Sequence, residues 1–227
     1  MTAGALFSRP TSVIICGTSR SLLNWAAYAL AAGTDPDFLW TDVRLSGEVV
    51  APEDPLSRDL IPSGRLRLVS PAELRPDDAT ANAALSAVIR DDDTPEELER
   101  AVEFLRLPST TQDVLAEAKG DGSPRVVVLS NGHRLVAIYN DLAVVRPTVR
   151  AIVGAGVALI MTFADAPPGG REAFEIVLHV EGSDPTAWRL ARLRVEKAPP
   201  DSIFPAGSET LLADVGPIAS VLRREFP

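Results

Sequence analysis

The chain has 227 residues, 46% of them hydrophobic, with a net charge of −9 and a sequence pI of about 4.8. This size suits one globular domain with a full core. The acidic balance argues against nucleic acid as a partner, because proteins that bind phosphate backbones usually present a basic patch. We expect one domain over residues 1–227, with a core at about 12–197 and a C-terminal helical segment at about 208–224.

Cysteine content and apolar stretches bear on the cellular compartment. Cys16 is the single cysteine, so no disulfide forms within the chain, and its apolar neighbours favour a buried position over a nucleophilic role. The chain does not open with a basic segment followed by a long apolar one, and its apolar stretches are short for a membrane span. We therefore expect a cytoplasmic protein with no membrane span.

The first predicted elements are a strand, a tight turn and a helix. Residues 12–17 (SVIICG) are a short β-branched run, as in buried strands. The helix that follows has Ser19 or Ser21 as its N-cap, and Gly33 marks its end. Two more strands are predicted at 38–45 and 65–70, separated by a Pro- and Gly-rich loop at 46–62.

Helical patterns occupy the middle of the chain. Helices are predicted after the N-cap residues Asp78, Thr94 and Ser109, and Glu97 completes a capping box with Thr94.

The second half alternates strands and helices. The predicted strands are 125–130, 157–163, 173–180 and 187–197, and the predicted helices are 141–153 and 211–223. Continuous apolar runs at 125–130 and 157–163 are typical of strands covered on both faces. Pro147 must lie in the first turn of its helix or kink it, and Pro217 interrupts the last helix. The strand at 187–197 alternates as a strand at a sheet edge does.

This order of elements predicts an α/β fold. Buried strands that alternate with amphipathic helices form a mostly parallel central sheet with helices on both faces. The late strands over 173–197 are expected to extend that sheet in antiparallel fashion.

The pattern resembles the RecA/KaiC superfamily of P-loop ATPases, over roughly Ser12 to Lys197. SVIICGTSRSLLNW is similar to the family's first strand, phosphate loop and first helix, and PRVVVLSNGHRLVAIYND to its Walker B strand and the following segment. The likeness is nearest to the divergent KaiC-like proteins of archaea, many of which have lost their ATPase motifs. The resemblance implies a RecA-like sheet.

The chain departs from that family at the residues that handle ATP. In the P-loop pattern G-x-x-x-x-G-K-[ST], the second glycine lets backbone amides wrap the phosphate, the lysine neutralises it and the hydroxyl holds magnesium. With the first glycine placed on Gly17, Leu22, Leu23 and Asn24 replace these three residues, and Ser130 replaces the Walker B aspartate. The vestigial phosphate loop comprises Gly17, Thr18, Ser19, Arg20, Ser21, Leu22, Leu23 and Asn24.

These departures lead us to expect a non-catalytic KaiC-like domain, without cofactor or metal, that acts through protein–protein interaction in regulation, signalling or assembly. Because RecA-like domains commonly assemble side by side, self-association is expected. Trp188 is the interface candidate, since tryptophan is enriched in contact patches.

Two alternatives stay open. The first is a nucleotide-binding protein or ATPase with a non-standard phosphate loop, in which helix N-terminal amides and Arg20 hold ATP, although a serine-capped turn explains the same residues. The second is a small serine hydrolase, because Gly17 to Ser21 half-matches the nucleophile elbow G-x-S-x-G. Its residues are Ser19, His133 or His179, and an acid such as Asp165.

Overall fold

The computed structural model describes residues 9–34, 38–43, 66–69, 126–132, 145–154, 156–164, 168–202 and 205–215. The strands are β1 (Ser12–Gly17), β2 (Leu39–Val43), β3 (Leu66–Val69), β4 (Val126–Ser130), β5 (Ala158–Ala164), β6 (Ile176–Glu181), β7 (Arg192–Lys197) and β8 (Glu209–Leu211). The α-helices are α1 (Arg20–Thr34), α2 (Val145–Gly154) and the short α3 (Pro168–Arg171), and 3-10 helices cover Pro185–Leu190 and Leu212–Asp214.

The eight strands form one sheet in the order β3-β2-β4-β5-β1-β6-β7-β8. All neighbours from β3 to β6 are parallel, and β7 and β8 continue the sheet in antiparallel fashion. The α/β class, the mostly parallel sheet and the antiparallel C-terminal extension predicted from the sequence are therefore confirmed.

The two faces of the sheet carry separate apolar cores, because successive strand residues point to opposite sides. α1 packs on the face that holds Val13 and Ile15. α2 packs on the other face through Val149 and Ile152, against a cluster that includes Cys16. Helices thus cover both faces of the parallel part of the sheet, as expected for strands buried on both sides.

The antiparallel extension has one apolar and one polar face. Leu178, Leu193 and Val195 belong to the core beneath α1. The residues between them, such as His179 and Arg194, are only partly buried on the opposite face. An antiparallel sheet with one solvated face gives this alternation.

Several predicted boundaries agree with the structure. β1 occupies the predicted residues 12–17. Pro147 lies in the first turn of α2, one of the two positions predicted for it. α1 extends to Thr34, so Gly33 lies in its last turn instead of ending it.

Three predictions in the C-terminal part are wrong. Residues 187–190 belong to the 3-10 helix Pro185–Leu190 instead of starting a strand, because Asp184 caps this turn with its carboxylate and Pro185 opens it. β7 is not the sheet edge, since β8 pairs outside it. β8 also takes the start of the predicted helix at 211–223, and Leu212–Asp214 is a 3-10 turn.

Other predicted segments lie outside the described residues. These are the loop at 46–62, the helices after Asp78, Thr94 and Ser109, and the end of the closing helix with Pro217. Among the described helices, none combines the length and the apolar content that a bilayer crossing requires.

Candidate functional site

The candidate site lies at the carboxyl end of β1, where the chain changes from strand to helix. From β1 the chain passes into α1 on one face of the sheet, whereas the connection from β5 to β6 places Phe174 in the core of the other face. β1 and β5 are neighbours, with Gly17 and Ala164 in register at their ends. In open α/β sheets, ligands bind in the crevice outside such a switch point.

The turn at this position is very short. β1 ends at Gly17 and α1 begins at Arg20, so only Thr18 and Ser19 lie between them. Ser19 is the N-cap, because the Leu22 amide donates to its Oγ at 3.5 Å and the Leu23 amide donates to its carbonyl oxygen at 3.0 Å. Ser21, the other predicted cap, lies within the first turn of α1.

Gly17 is required here for close packing. A Cβ atom at this position would lie 2.8 Å from the Val180 carbonyl oxygen in β6 and 3.3 Å from Leu23 Cδ2. The first glycine of the vestigial loop therefore serves strand contact within the sheet.

Leu22 and Leu23 are core residues. Their side chains are 0% and 2% exposed, and both belong to the apolar cluster beneath α1. Leu22 Cδ1 also lies near Gly182, where it would be 3.1 Å from an added Cβ. The positions that align with the glycine and lysine of a P-loop thus point into the protein, away from any phosphate over the turn.

The other residues of the vestigial loop lie nearer the surface. Thr18 and Arg20 are exposed, and Ser19, Ser21 and Asn24 are partly buried.

The position that aligns with the Walker B aspartate, at the end of β4, is held against β5 by hydrogen bonds. Ser130 is fully buried, and its hydroxyl has no hydrogen-bond partner among the described residues. Asn131 has a φ of 60°, and its amide donates to Thr162 Oγ1 at 2.9 Å. The Gly132 amide donates to the Thr162 carbonyl oxygen at 2.8 Å. The turn predicted at Asn131 and Gly132 is therefore confirmed, and the carboxyl end of β4 is firmly attached to β5.

In the structure, the turn after β1 and the end of β4 lie at the same end of the sheet, at the carboxyl ends of the parallel strands. β5 lies between β1 and β4, so the turn after Gly17 and the end of β4 at Ser130 flank the same strand. Asp42 in β2 is the register partner of Ser130. Neither Leu23 nor Ser130 carries the charge that phosphate and magnesium require.

The interface hypothesis for Trp188 is wrong. Its indole is 1% exposed and belongs to the core beneath α1. The 3-10 helix turns the ring inward, and the Arg189 guanidinium lies over it at 5.3 Å from the centroid. A side chain that is buried within its own domain offers no contact surface to a partner.

The hydrolase residues are described only in part. Ser19 Oγ is used as the helix cap, and His179 lies in β6 with its Nδ1 3.9 Å from Glu196 Oε1. His133 and Asp165 fall outside the described residues. Within the ranges that the structure describes, no three His, Cys, Asp or Glu side chains are grouped as metal ligands would be.

Cys16 is a buried thiol. It is 1% exposed, and burial raises its pKa to about 11, although the nearby Arg171 guanidinium acts in the opposite direction. A thiol that stays protonated at neutral pH is a poor nucleophile. The predicted buried position of Cys16 is confirmed.

The sequence interpretation missed a polar cluster on β6 and β7, which we call the Glu196 cluster. It comprises Arg171, His179, Glu181, Arg194 and Glu196. The alternation of charged and apolar residues in 192–197 indicates a half-solvated strand. The pairing of β6 with β1, which places His179 beside Cys16, joins strands that are distant in the sequence, so no local pattern predicts it.

Comparison with known proteins adds no relative: the scan of protein families and the search of curated proteins found no match to this sequence.

Proposed function

We propose that this chain is a RecA/KaiC-like domain that does not hydrolyse ATP and acts by binding protein partners. The observation that carries this proposal is the burial of Leu22 and Leu23 in the core beneath α1. Leu22 stands where a phosphate loop has the glycine that lets backbone amides wrap the phosphate, and Leu23 where it has the neutralising lysine; both are packed in the core.

The strand order supports the family likeness. A phosphate loop and a Walker B residue act on the same phosphate and magnesium, so they must lie close together at the carboxyl end of the sheet. The turn after Gly17 and the end of β4 at Ser130 lie on either side of β5 at that end of the sheet. This arrangement of the two segments that resemble the family supports the proposal.

The chemistry of the turn argues against catalysis. Removing a single preorganised donor from a transition state costs on the order of 3 kcal/mol. Here the lysine, the magnesium-binding hydroxyl and the Walker B carboxylate are all replaced, by Leu23, Asn24 and Ser130. Losses of this size at three positions leave no basis for ATP turnover at this turn.

Two exposed leucines support a role in protein contact. Leu190 is 77% and Leu211 40% exposed, and they are the large hydrophobic side chains most open to solvent among the described residues. The Leu212 amide donates to the Ala191 carbonyl oxygen at 2.8 Å, so the two leucines flank one backbone hydrogen bond. Contiguous exposed apolar patches are typical of contact sites, and we assign these two leucines to such a surface.

Calorimetric titration with Mg-ATP tests the loss of nucleotide binding. We expect no saturable heat up to about 1 mM nucleotide, beyond which an affinity would be very weak. Magnesium chloride alone is the control. Micromolar binding, or release of inorganic phosphate from ATP, would overturn this part of the proposal.

Sedimentation equilibrium tests self-association through the exposed leucines. We expect the wild-type chain to associate with rising concentration, and the double variant Leu190→Ser and Leu211→Ser to weaken the association constant by about tenfold or more. Glu172→Ser, at an exposed position between α3 and β6 and outside β7 and β8, serves as the control and should associate like the wild type. A wild-type chain that stays monomeric at high concentration contradicts self-association.

A further inference from the structure

Three groups of potential positive charge converge on one carboxylate in the Glu196 cluster. Arg171 Nη1 lies 2.7 Å from Glu196 Oε2, and Arg194 Nη2 lies 3.2 Å from Glu196 Oε1. His179 Nδ1 lies 3.9 Å from the same Oε1. They come from α3, β6 and β7, so the fold assembles them from separate segments.

Each of these three side chains retains a buried nitrogen without a hydrogen-bond partner. The atoms are Arg171 Nε, His179 Nδ1 and Arg194 Nε, judged over the part of the chain that the structure describes. An unsatisfied buried polar group costs on the order of 1–3 kcal/mol. Three such nitrogen atoms lie around one carboxylate. A single hydrogen-bond acceptor that binds there in solution would satisfy all three.

We propose that Arg171, His179 and Arg194 bind a small tetrahedral oxyanion of the phosphate type. Guanidinium groups present several donors in a fixed fork that suits phosphate oxygens. Three donors from three segments suit a tetrahedral ion, which accepts hydrogen bonds from several directions. The site goes beyond the proposed function and is independent of it, because it lies on the sheet face opposite α1.

Local charge permits this binding in an acidic protein. Two guanidinium groups face two carboxylates, those of Glu196 and of Glu181, which lies 3.5 Å from Arg194 Nη1. The N–H donors of the two guanidinium groups still outnumber the oxygens of the two carboxylates, because each guanidinium has five N–H groups. The side chains of His179 and Arg194 are 28% and 41% exposed, so an ion can reach the cluster from solvent.

Titration with inorganic phosphate, followed by thermal unfolding, tests the site. A ligand that binds only the folded chain raises Tm in a saturable way. We expect such a rise with sodium phosphate and none with sodium chloride at equal ionic strength. Sodium acetate, a planar oxyanion, should raise Tm less. The absence of a saturable rise with phosphate would overturn the proposal without touching the proposed function.

Conservative variants locate the site. Arg171→Lys and Arg194→Lys keep the charge but remove the Nε donors, so we expect the Kd for phosphate to rise by about tenfold in each. Arg192→Lys is the matched control: Arg192 is on the same strand as Arg194, and its guanidinium pairs with Glu209 of β8 at 3.3 Å, outside the cluster. Unchanged phosphate affinity in the Arg171 and Arg194 variants would show general electrostatic attraction, and equal losses in all three variants would show an effect that is not confined to the cluster; either outcome contradicts a defined site.

Side-chain NMR gives a second readout on the intact fold. The Nε–H resonances of Arg171 and Arg194, assigned by their disappearance in the lysine variants, should shift with phosphate concentration along the same curve as Tm. The Arg192 resonance should stay in place. If either lysine variant fails to fold, the wild-type shifts still decide, and unchanged Arg171 and Arg194 resonances at saturating phosphate refute the assignment.

Discussion

At the residue scale, the turn after β1 is determined by what fits between strands. Gly17 lies where a Cβ would come within 2.8 Å of the Val180 carbonyl oxygen. Leu22 and Leu23 fill the core on the helix side of the same turn. The candidate site is therefore a packed junction whose small and apolar residues serve the contact between β1, β6 and α1.

Replacement of Gly17 by alanine should destabilise the chain. The new methyl group meets backbone, which cannot rotate away, so we expect a loss of about 1–3 kcal/mol in the free energy of unfolding. Urea denaturation measures it. Gly154→Ala is the matched control, because a Cβ there meets nothing within 4 Å and Gly154 ends a helix. That control should be neutral or stabilising by up to about 1 kcal/mol; similar losses in both variants would contradict the close contact at Gly17.

The stability of the chain should fall at high pH because of Cys16. Burial raises the pKa of its thiol from 9.0 to about 11. Between these values the folded chain keeps a proton that the unfolded chain releases, so this stabilisation is present below pH 9 and is lost as the pH rises to 11. The wild type should lose roughly 2–3 kcal/mol relative to Cys16→Ala over this range. Unfolding measured at both pH values for both chains checks it, and parallel curves would contradict the buried thiol.

At the scale of elements, strands that are buried on both faces were predictable from the sequence, whereas short irregular elements were not. β1, β4 and β5 are continuous apolar runs, and such runs leave few alternatives to a strand buried on both faces. The side-chain alternation in 187–197 predicts a strand from residue 187, but the cap at Asp184 keeps residues up to Leu190 in a 3-10 helix. β8 has three residues, and its pairing depends on the turn before it, where the Val195 amide donates to the Ser208 carbonyl oxygen.

Loss of the Asp184 cap should loosen the 3-10 helix. Its Oδ1 accepts from the Thr186 amide at 2.8 Å and from the Thr186 hydroxyl at 2.7 Å. These bonds hold the pKa of Asp184 below its ordinary value. The cap therefore stabilises the fold above that ordinary value and is lost as the pH falls.

We expect Asp184→Ala to lower Tm at neutral pH, with a smaller difference from the wild type in acid. Asp184→Asn, which can still cap, should keep most of the stability. A difference in Tm that does not change with pH would contradict this account.

At the scale of the whole molecule, the class of the fold followed from the sequence but the positions of side chains around the site did not. The residues Leu22, Leu23 and Ser130 already led to the prediction that the usual ATPase chemistry is lost. That Leu22 and Leu23 fill the core, and that Trp188 is buried, depended on how α1 and the 3-10 helix are oriented on the sheet. The Glu196 cluster depended on β6 lying beside β1, a pairing that no local pattern specifies.

Installing the residues of a P-loop should not create a nucleotide site. The triple change Leu22→Gly, Leu23→Lys and Asn24→Thr completes the P-loop pattern, but it removes two buried side chains and places a charge in the core. Loss of each leucine alone is worth about 2–5 kcal/mol. We expect an unfolded or strongly destabilised chain by circular dichroism, with Leu23→Met as a tolerated control. A folded triple variant that binds Mg-ATP would show that the turn can open.

The place of β1 within the sheet has a consequence for how the chain matures. Its two partners are β5 and β6, which are encoded in the last third of the sequence. Pairing over such a sequence separation is slow, since loop closure precedes the contacts that reward it. During synthesis this β-branched segment leaves the ribosome long before either neighbour exists. We therefore expect this apolar segment of the nascent chain to stay unpaired until the final segments emerge.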